Sequence, residues 1–218
     1  MLHRTRHLLV RQGTAQISAL RAHLAEYGII APKGRAHVQG LIALIDDGSC
    51  DLPQMARQVL RLIADTITGL SAQIHAIEAE LITWQRSNKI CQRLSTIPGI
   101  GTITATGLAA TVADAKAFRS GRQFAAWLGL TPKPRSSGGK ERLGRISREG
   151  NGYIRRLLVT GMTAVLRTTR KDRERNPWVA GLLERKPARL VSVALANKTA
   201  RVAWAVLARG QTYAARAA

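Results

Sequence analysis

Apolar positions along this chain recur with a helical period, at intervals of three and four, over most of its length. From about Leu8 to Tyr27 they include Ile17, Leu20 and Leu24, and Gly28 supplies a C-terminal stop. Pro32 and Gly34 then form a loop, a short helix is expected from Val38 to Ile45, and Asp46-Asp47-Gly48 closes it. Asp51 and Pro53 mark the next start, because proline fits a first helical turn and an acid suits the positive end of the helix dipole. The helix that follows carries the most regular pattern of all. Leu60, Ile63, Ile67, Leu70, Ile74, Ile77, Leu81 and Trp84 step by alternating threes and fours. A repeat of about 3.5 residues is the seam of a coiled coil and requires a partner helix. That partner is either the chain's own helix from Leu8 to Tyr27 or a second copy, and dimerisation is the expectation.

From Asn88 onward glycine punctuates the pattern. Tight turns are expected at Pro98-Gly99-Ile100-Gly101 and at Gly129-Leu130-Thr131-Pro132, and a polar loop from Lys133 to Gly144. Helices are expected over Tyr153 to Arg167, Pro177 to Glu184 and Leu190 to Leu207. The fold class that follows is mainly α. A helical, coiled-coil segment over 1–88 leads into a compact helical domain over 89–218, whose loop-rich region has room for a short hairpin.

Composition adds one strong signal. Lys and Arg number 34 against 13 Asp and Glu, a formal net charge of +21, which draws polyanions at long range and makes their binding fall with salt. A nucleic acid is the expected partner. Aromatic residues are only 4% of the chain, so few rings are available to stack on bases. The two cysteines, Cys50 and Cys91, lie far apart and outside any Cys-x-x-Cys spacing, which fits a reducing compartment and argues against a disulfide framework or a zinc knuckle. No uninterrupted apolar run approaches the roughly 18 residues of a membrane span. The basic stretch from Met1 to Arg21 superficially looks like a transit peptide, but its apolar pattern continues into the first helix.

Two motifs carry candidate chemistry. Ile97-Pro98-Gly99-Ile100-Gly101, followed by Thr102, matches the hairpin of a helix-hairpin-helix element. In such an element Gly99 and Gly101 let backbone amides approach a phosphate, and the helix opening at Thr102 turns its positive end to the anion. The plain alternative is a tight turn between packed helices. The second motif is the loop Thr131-Pro132-Lys133-Pro134-Arg135-Ser136-Ser137-Gly138-Gly139-Lys140. A serine there, among cations, could attack a phosphodiester while Arg and Lys stabilise the developing charge. A merely flexible Ser-Gly loop is the bland reading. Lys140, Arg142, Arg145, Arg148, Arg155 and Arg156 are the candidate phosphate contacts.

Taken in order, Thr-Ile-Pro-Gly-Ile-Gly, Phe118, Gln123, Phe124, Ala125, Trp127, Gly129-Leu130-Thr131-Pro132, Ser-Ser-Gly-Gly-Lys, Arg-Ile-Ser, Gly-Asn and Ile154-Arg155-Arg156-Leu157-Leu158 resemble a known domain. It is the carboxy-terminal serine domain of insertion-sequence transposases that pair it with a Holliday-junction-resolvase-like acidic domain and work with a structured guide, or bridge, RNA. The match is close from about Leu94 to Leu166. The resemblance implies DNA transposition in the bacterial cytoplasm, at the nucleoid. It implies a nucleophile in the Ser-Gly-Gly-Lys loop, Ser137 rather than Ser136, forming a transient phosphoserine bond to DNA. It also implies Mg²⁺ held by four carboxylates of the acidic domain, and composite active sites built from several subunits.

The chain departs from that pattern at its start, where Met1-Leu2-His3-Arg4-Thr5-Arg6 resembles a segment that normally follows the acidic domain. The expectation is therefore a part without the acidic domain, with no metal or cofactor of its own and no independent cleavage. Asp46, Asp47 and Asp51 straddle a turn and read as helix-end residues rather than as a substitute carboxylate cluster. His3 and His7 share a helical face without a third ligand, which favours a solvated basic face over zinc. Lys171 to Arg175 reads as a solvated helix end, and Trp178 and Trp204 as core. Other readings remain open: a helix-hairpin-helix module that binds DNA or RNA without chemistry, a decayed transposase remnant, and a ribosomal-type RNA protein suggested by charge alone.

Overall fold

The computed structural model describes residues 1–48, 51–140, 142–174 and 176–214; Cys50 and Arg175, named above, lie outside them. The fold is mainly helical. The chain divides into two compact units, Met1–Glu80 and Leu81–Ala218, and the division falls inside the longest helix.

In the first unit α1 spans Leu2–Glu26, α2 Val38–Asp46 and α3 Gln54–Ser87, the last turns of α3 belonging to the second unit. Helix α1 starts about two turns earlier than its apolar pattern suggests. Its first turns hold a side-chain tie, since the Arg6 Nε donates to Glu78 Oε1 of α3 at 2.8 Å. The core joins Ile17, Leu20 and Leu24 of α1 to Val38, Leu41 and Ile45 of α2, and to Leu60 and Ile67 of α3. Leu60 and Ile67 are seam positions, so α1 and α2 of the same chain cover the seam there. Pro53 stands just before α3, and its carbonyl accepts the bond from Arg57 N at 3.0 Å. The carbonyl end of α2 is closed by Arg57, whose Nη1 donates to Ile45 O at 2.9 Å, while the Asp46 carboxylate pairs with Arg61.

The second unit contains α4 (Lys89–Ser95), α5 (Thr102–Thr111), α6 (Gly121–Trp127), the strands β1 (Pro132–Pro134) and β2 (Leu143–Ile146), then α7 (Gly152–Lys171), α8 (Pro177–Arg185) and α9 (Ala188–Arg209). Asparagines start three of its helices: the side chains of Asn88, Asn151 and Asn176 accept from amides of the first turns of α4, α7 and α8. Gly210, with φ 68°, ends α9 in the left-handed conformation. One core gathers Leu94, Leu108, Phe124, Leu128, Ile154 and Leu158 around α9, which presents Ala196, Ala200 and Ala203. Small side chains let neighbouring backbones come close to α9; a Cβ on Gly121 of α6 would stand 3.1 Å from the Arg201 Cα. The Cys91 thiol is buried in this core, and burial raises its pKa.

Helix α9 also revises the membrane reading. Its 22 residues include a window of mean hydropathy 1.3, long and apolar enough to cross a bilayer by length and composition. Part of that apolar surface, including Val191, Leu195 and Val206, is buried in the core of the second unit.

Two glycines distinguish packing from mere tolerance. A Cβ at Gly161 on α7 would stand 2.1 Å from the Gly99 carbonyl oxygen, whereas one at Gly69 on α3 would meet nothing within 4 Å. Gly161→Ala is expected to cost the second unit about 1–3 kcal/mol by overpacking. Gly69→Ala is expected to stabilise the first by about 0.5–1 kcal/mol through helix propensity. Urea titrations followed by circular dichroism check both: the midpoint falls for the former and rises for the latter.

Candidate nucleic-acid interface

The Ser-Gly loop is the tip of a two-stranded hairpin. Strands β1 and β2 pair antiparallel, Pro132 opposite Ile146 and Pro134 opposite Leu143, with an irregularity between them. Past the strands the pairing continues, Arg135 N donating to Arg142 O at 2.7 Å and Lys140 N to Ser137 O at 3.1 Å. Gly138 and Gly139 occupy the two central turn positions with φ 57° and 73°. Two successive positive φ values define a type I′ turn, whose twist matches that of the strands, and glycine is the residue that takes them without strain. The two serines differ. Ser136 Oγ accepts from Arg142 N at 3.2 Å and so braces the hairpin. Ser137, at the first position of the turn, is exposed, and among the described residues its hydroxyl has no hydrogen-bond partner.

The root of the hairpin is held by backbone on backbone. Ser147 N donates to Thr131 O at 2.8 Å and Arg148 N to Gly129 O at 3.2 Å. A Cβ at Gly129 would stand 2.2 Å from Glu149 O, and one at Gly150 would stand 1.8 Å from Trp127 O. Both positions also have positive φ, so neither accepts another residue without displacement of the strands. Arg148 adopts φ 60°, left-handed backbone that carries a cost in any non-glycine residue. Arg155 at the start of α7 reaches across the root, its Nη1 donating to Leu128 O and to Glu149 O, each at 2.8 Å. From α9, Asn197 Nδ2 donates to Leu130 O at 3.1 Å. Beneath lie Phe118, Phe124 and Trp127, with centroids 5.1 to 5.6 Å apart.

Lys133, Arg135, Lys140, Arg142, Arg145 and Arg148 are all exposed along the hairpin and its root. The Glu149 carboxylate faces this set and meets Lys133 Nζ at 3.2 Å. The structure therefore brings Ser137, Lys140, Arg142, Arg145 and Arg148 onto one projecting element. Arg156 is exposed on α7. Arg155 is placed differently from its expected phosphate role: it is half-buried and spends its guanidinium on main-chain carbonyls.

The Pro98-Gly99 turn also departs from expectation. Ile100 N donates to Ile97 O at 3.0 Å and Gly99 has φ 81° at the third position, the arrangement of a type II turn. A Cβ at Gly99 would stand 2.2 Å from the Met162 Cε and 3.1 Å from the Gly161 carbonyl oxygen, so the close approach that requires glycine is to α7. Gly101, at the N-cap of α5, has open space around it. Thr102 Oγ1 lies 3.3 Å from Gln85 Oε1. Of the two tryptophans read as core, Trp204 packs on the core and donates its indole N–H to Ala115 O at 2.9 Å. Trp178 is instead 49% exposed, with Lys198 Nζ 3.9 Å from the ring centroid. Sequence reasoning gave Asn197 no role; an Asn on a predicted helix interior, with no cap to make there, was the available signal.

A mainly helical unit that projects a serine-tipped basic hairpin is the class of domain this geometry defines. Residues 91–176 match the family described as Transposase IS116/IS110/IS902. A probable family 20 transposase of Pseudomonas aeruginosa is 43% identical over 97% of this chain and 64% of its own length. The transposase for insertion sequence element IS1328 of Yersinia enterocolitica is 38% identical over 97% of the chain and 63% of its own length. That for IS1111A of Coxiella burnetii is 36% identical over 97% of the chain and 59% of its own length. The chain thus spans about three fifths of the length of these relatives.

The two arginine placements predict opposite phenotypes. Arg155→Ala is expected to destabilise the second unit by about 1–2 kcal/mol, because the Leu128 carbonyl, in a buried residue, and the Glu149 carbonyl both lose a charged donor. Arg142→Ala and Arg145→Ala are expected to leave the thermal midpoint in place. Each of them lowers the log–log salt slope of duplex-DNA binding by about 1. Thermal melts and anisotropy titrations at several salt concentrations read both effects.

Proposed function

We propose that the chain acts in DNA transposition, with Ser137 as the nucleophile that breaks a DNA strand. The observation that supports this most directly is the Ser137 hydroxyl: exposed, without a hydrogen-bond partner among the described residues, and set at the head of a type I′ turn among exposed cations. Ser136, whose hydroxyl is taken up by Arg142 N, is the weaker candidate. In the step proposed, Ser137 Oγ forms a bond to a backbone phosphorus and the bond from phosphorus to one sugar oxygen breaks. The proton leaving Oγ balances the proton that the departing sugar oxygen takes up. Lys140 and Arg142 flank the turn and stabilise the added negative charge. Attack by the freed hydroxyl of another strand on the phosphoserine reverses the chemistry and joins the strands.

The family resemblance extends the proposal to a structured guide RNA as second nucleic-acid partner, to a homo-oligomer, and to a Mg²⁺-binding acidic domain supplying part of a composite site in the cell's nucleoid. Among the described residues no group of three His, Cys, Asp or Glu side chains lies close enough to hold a metal ion, so these residues do not fit Mg²⁺ and no step here runs through it. For self-association, the apolar stripe left exposed on α3 is Met55, Val59 and Leu62, at positions i, i+4 and i+7 on its surface, in place of the seam residues that the chain covers itself.

Ser137→Ala tests the nucleophile in a reaction reconstituted with a full-length relative. The expected result is loss of the detergent-resistant protein–DNA adduct formed by this chain, with DNA affinity within about twofold of the parent. Ser136→Ala keeps the adduct. An adduct that persists in Ser137→Ala overturns the assignment and favours a module that binds without chemistry.

A further inference from the structure

A second cationic surface lies away from the hairpin tip, on the solvent face of α9. Trp178 of α8, Lys198, Arg201 and Arg209 of α9, and Tyr213 beyond it line one groove of about 1060 Å³. Arg201 also lines an adjoining recess together with Arg122. No Asp or Glu lines either. Among the described residues, neither Lys198, Arg201 nor Arg209 has a carboxylate partner. These positions share one side of α9 because the other side, through Leu195, Ala196, Ala200 and Ala203, is buried.

The geometry points to a binding groove for single-stranded DNA, its phosphates running along α9 and one base stacked on Trp178. From Lys198 to Arg209 the helix rises about 16 Å, a length that a few unpaired nucleotides cover. A row of cations that, among the described residues, have no carboxylate partner suits a phosphate backbone. The exposed indole supplies what the charges lack. Lys198 Nζ lies 3.9 Å from the Trp178 ring centroid and takes up one face, while the indole as a whole is 49% exposed, and an exposed flat ring offers stacking to any base. Bases in a duplex are already stacked on one another and present only their edges in the grooves, so a stacking platform selects an unpaired strand. This choice of DNA rests on the strand-breaking reading above, since strand exchange leaves stretches of DNA without their complement.

The test uses the full chain and fluorescence anisotropy with an oligothymidylate of about ten nucleotides, set against a duplex and an oligouridylate of matched length. Trp178→Ala is expected to weaken oligothymidylate binding about fivefold to a hundredfold and duplex binding by less than about twofold, while Trp178→Phe retains most of the affinity. Replacing Lys198, Arg201 and Arg209 together by Gln is expected to lower the log–log salt slope for oligothymidylate by about 2. Circular dichroism verifies that the variants remain folded, as the exposure of all four side chains to the groove leads one to expect. Unchanged oligothymidylate affinity in Trp178→Ala overturns the proposal, as does equal weakening for duplex, which marks a general basic surface. Tighter binding of oligouridylate with the same dependence on Trp178 overturns the choice of DNA and makes RNA the occupant. Ser137→Ala is read only on the covalent adduct and Trp178→Ala only on oligothymidylate affinity, so failure of the strand-breaking reading and failure of the groove are distinguished.

Discussion

At three places around the hairpin and the start of α5 one stretch of main chain rests directly on another, with no side chain between them. Gly99 meets Gly161 on α7, Gly129 meets Glu149, and Gly150 meets Trp127. Everything that follows from the hairpin depends on these contacts. Two of them clamp the roots of β1 and β2, and the third fixes the turn before α5 against the same helix, α7, that begins at the hairpin's end. A ribbon with so few paired residues has little stability of its own. Its position is imposed from below, by glycines that admit no Cβ, by the Arg155 guanidinium on two carbonyls and by Asn197 reaching in from α9.

Once the root is fixed, the tip can be simple. A type I′ turn with two glycines needs no side-chain support, so the residues flanking it are free for chemistry. The division of labour between adjacent serines is a case in point: one closes the ribbon by accepting from Arg142 N, and the other has no hydrogen-bond partner for its hydroxyl among the described residues. The cations are divided in the same manner. Those on the ribbon point to solvent and add field, while Arg155, of the same charge and close in sequence, serves the interior.

The helical period made the helices legible, since each must bury one face and the spacing of Leu, Ile and Val records which. What the period does not record is the source of the partner surface. The seam through Leu60 and Ile67 states that a helix must lie against it, and α1 and α2 meet that demand within the chain. Gly99 was ambiguous for a related reason. Glycine marks a close approach, and the letter is the same whether a phosphate or the Gly161 carbonyl is what approaches. Arg155 carried a signal that charge counting passed over. It sits in the first turn of α7, where the helix dipole opposes a cation, so its placement there already implied an acceptor other than bulk solvent. Trp178 sits next to the Pro177 that starts α8, at a helix end rather than mid-face, which is where an aromatic can escape the core.

The place of α9 in the chain governs when the hairpin can take shape. The bond from Asn197 to the Leu130 carbonyl joins residues 67 apart in sequence, and the helices beneath the hairpin pack on a helix made after them. At translation rates of about 5–20 residues per second, roughly 3–13 s pass between synthesis of Leu130 and of Asn197. During that interval the hairpin lacks the hydrogen bond from Asn197 and the helix on which its supporting helices pack. A ribosome that stops before α9 therefore releases a chain that has the hairpin sequence but lacks the helix on which the hairpin's support packs.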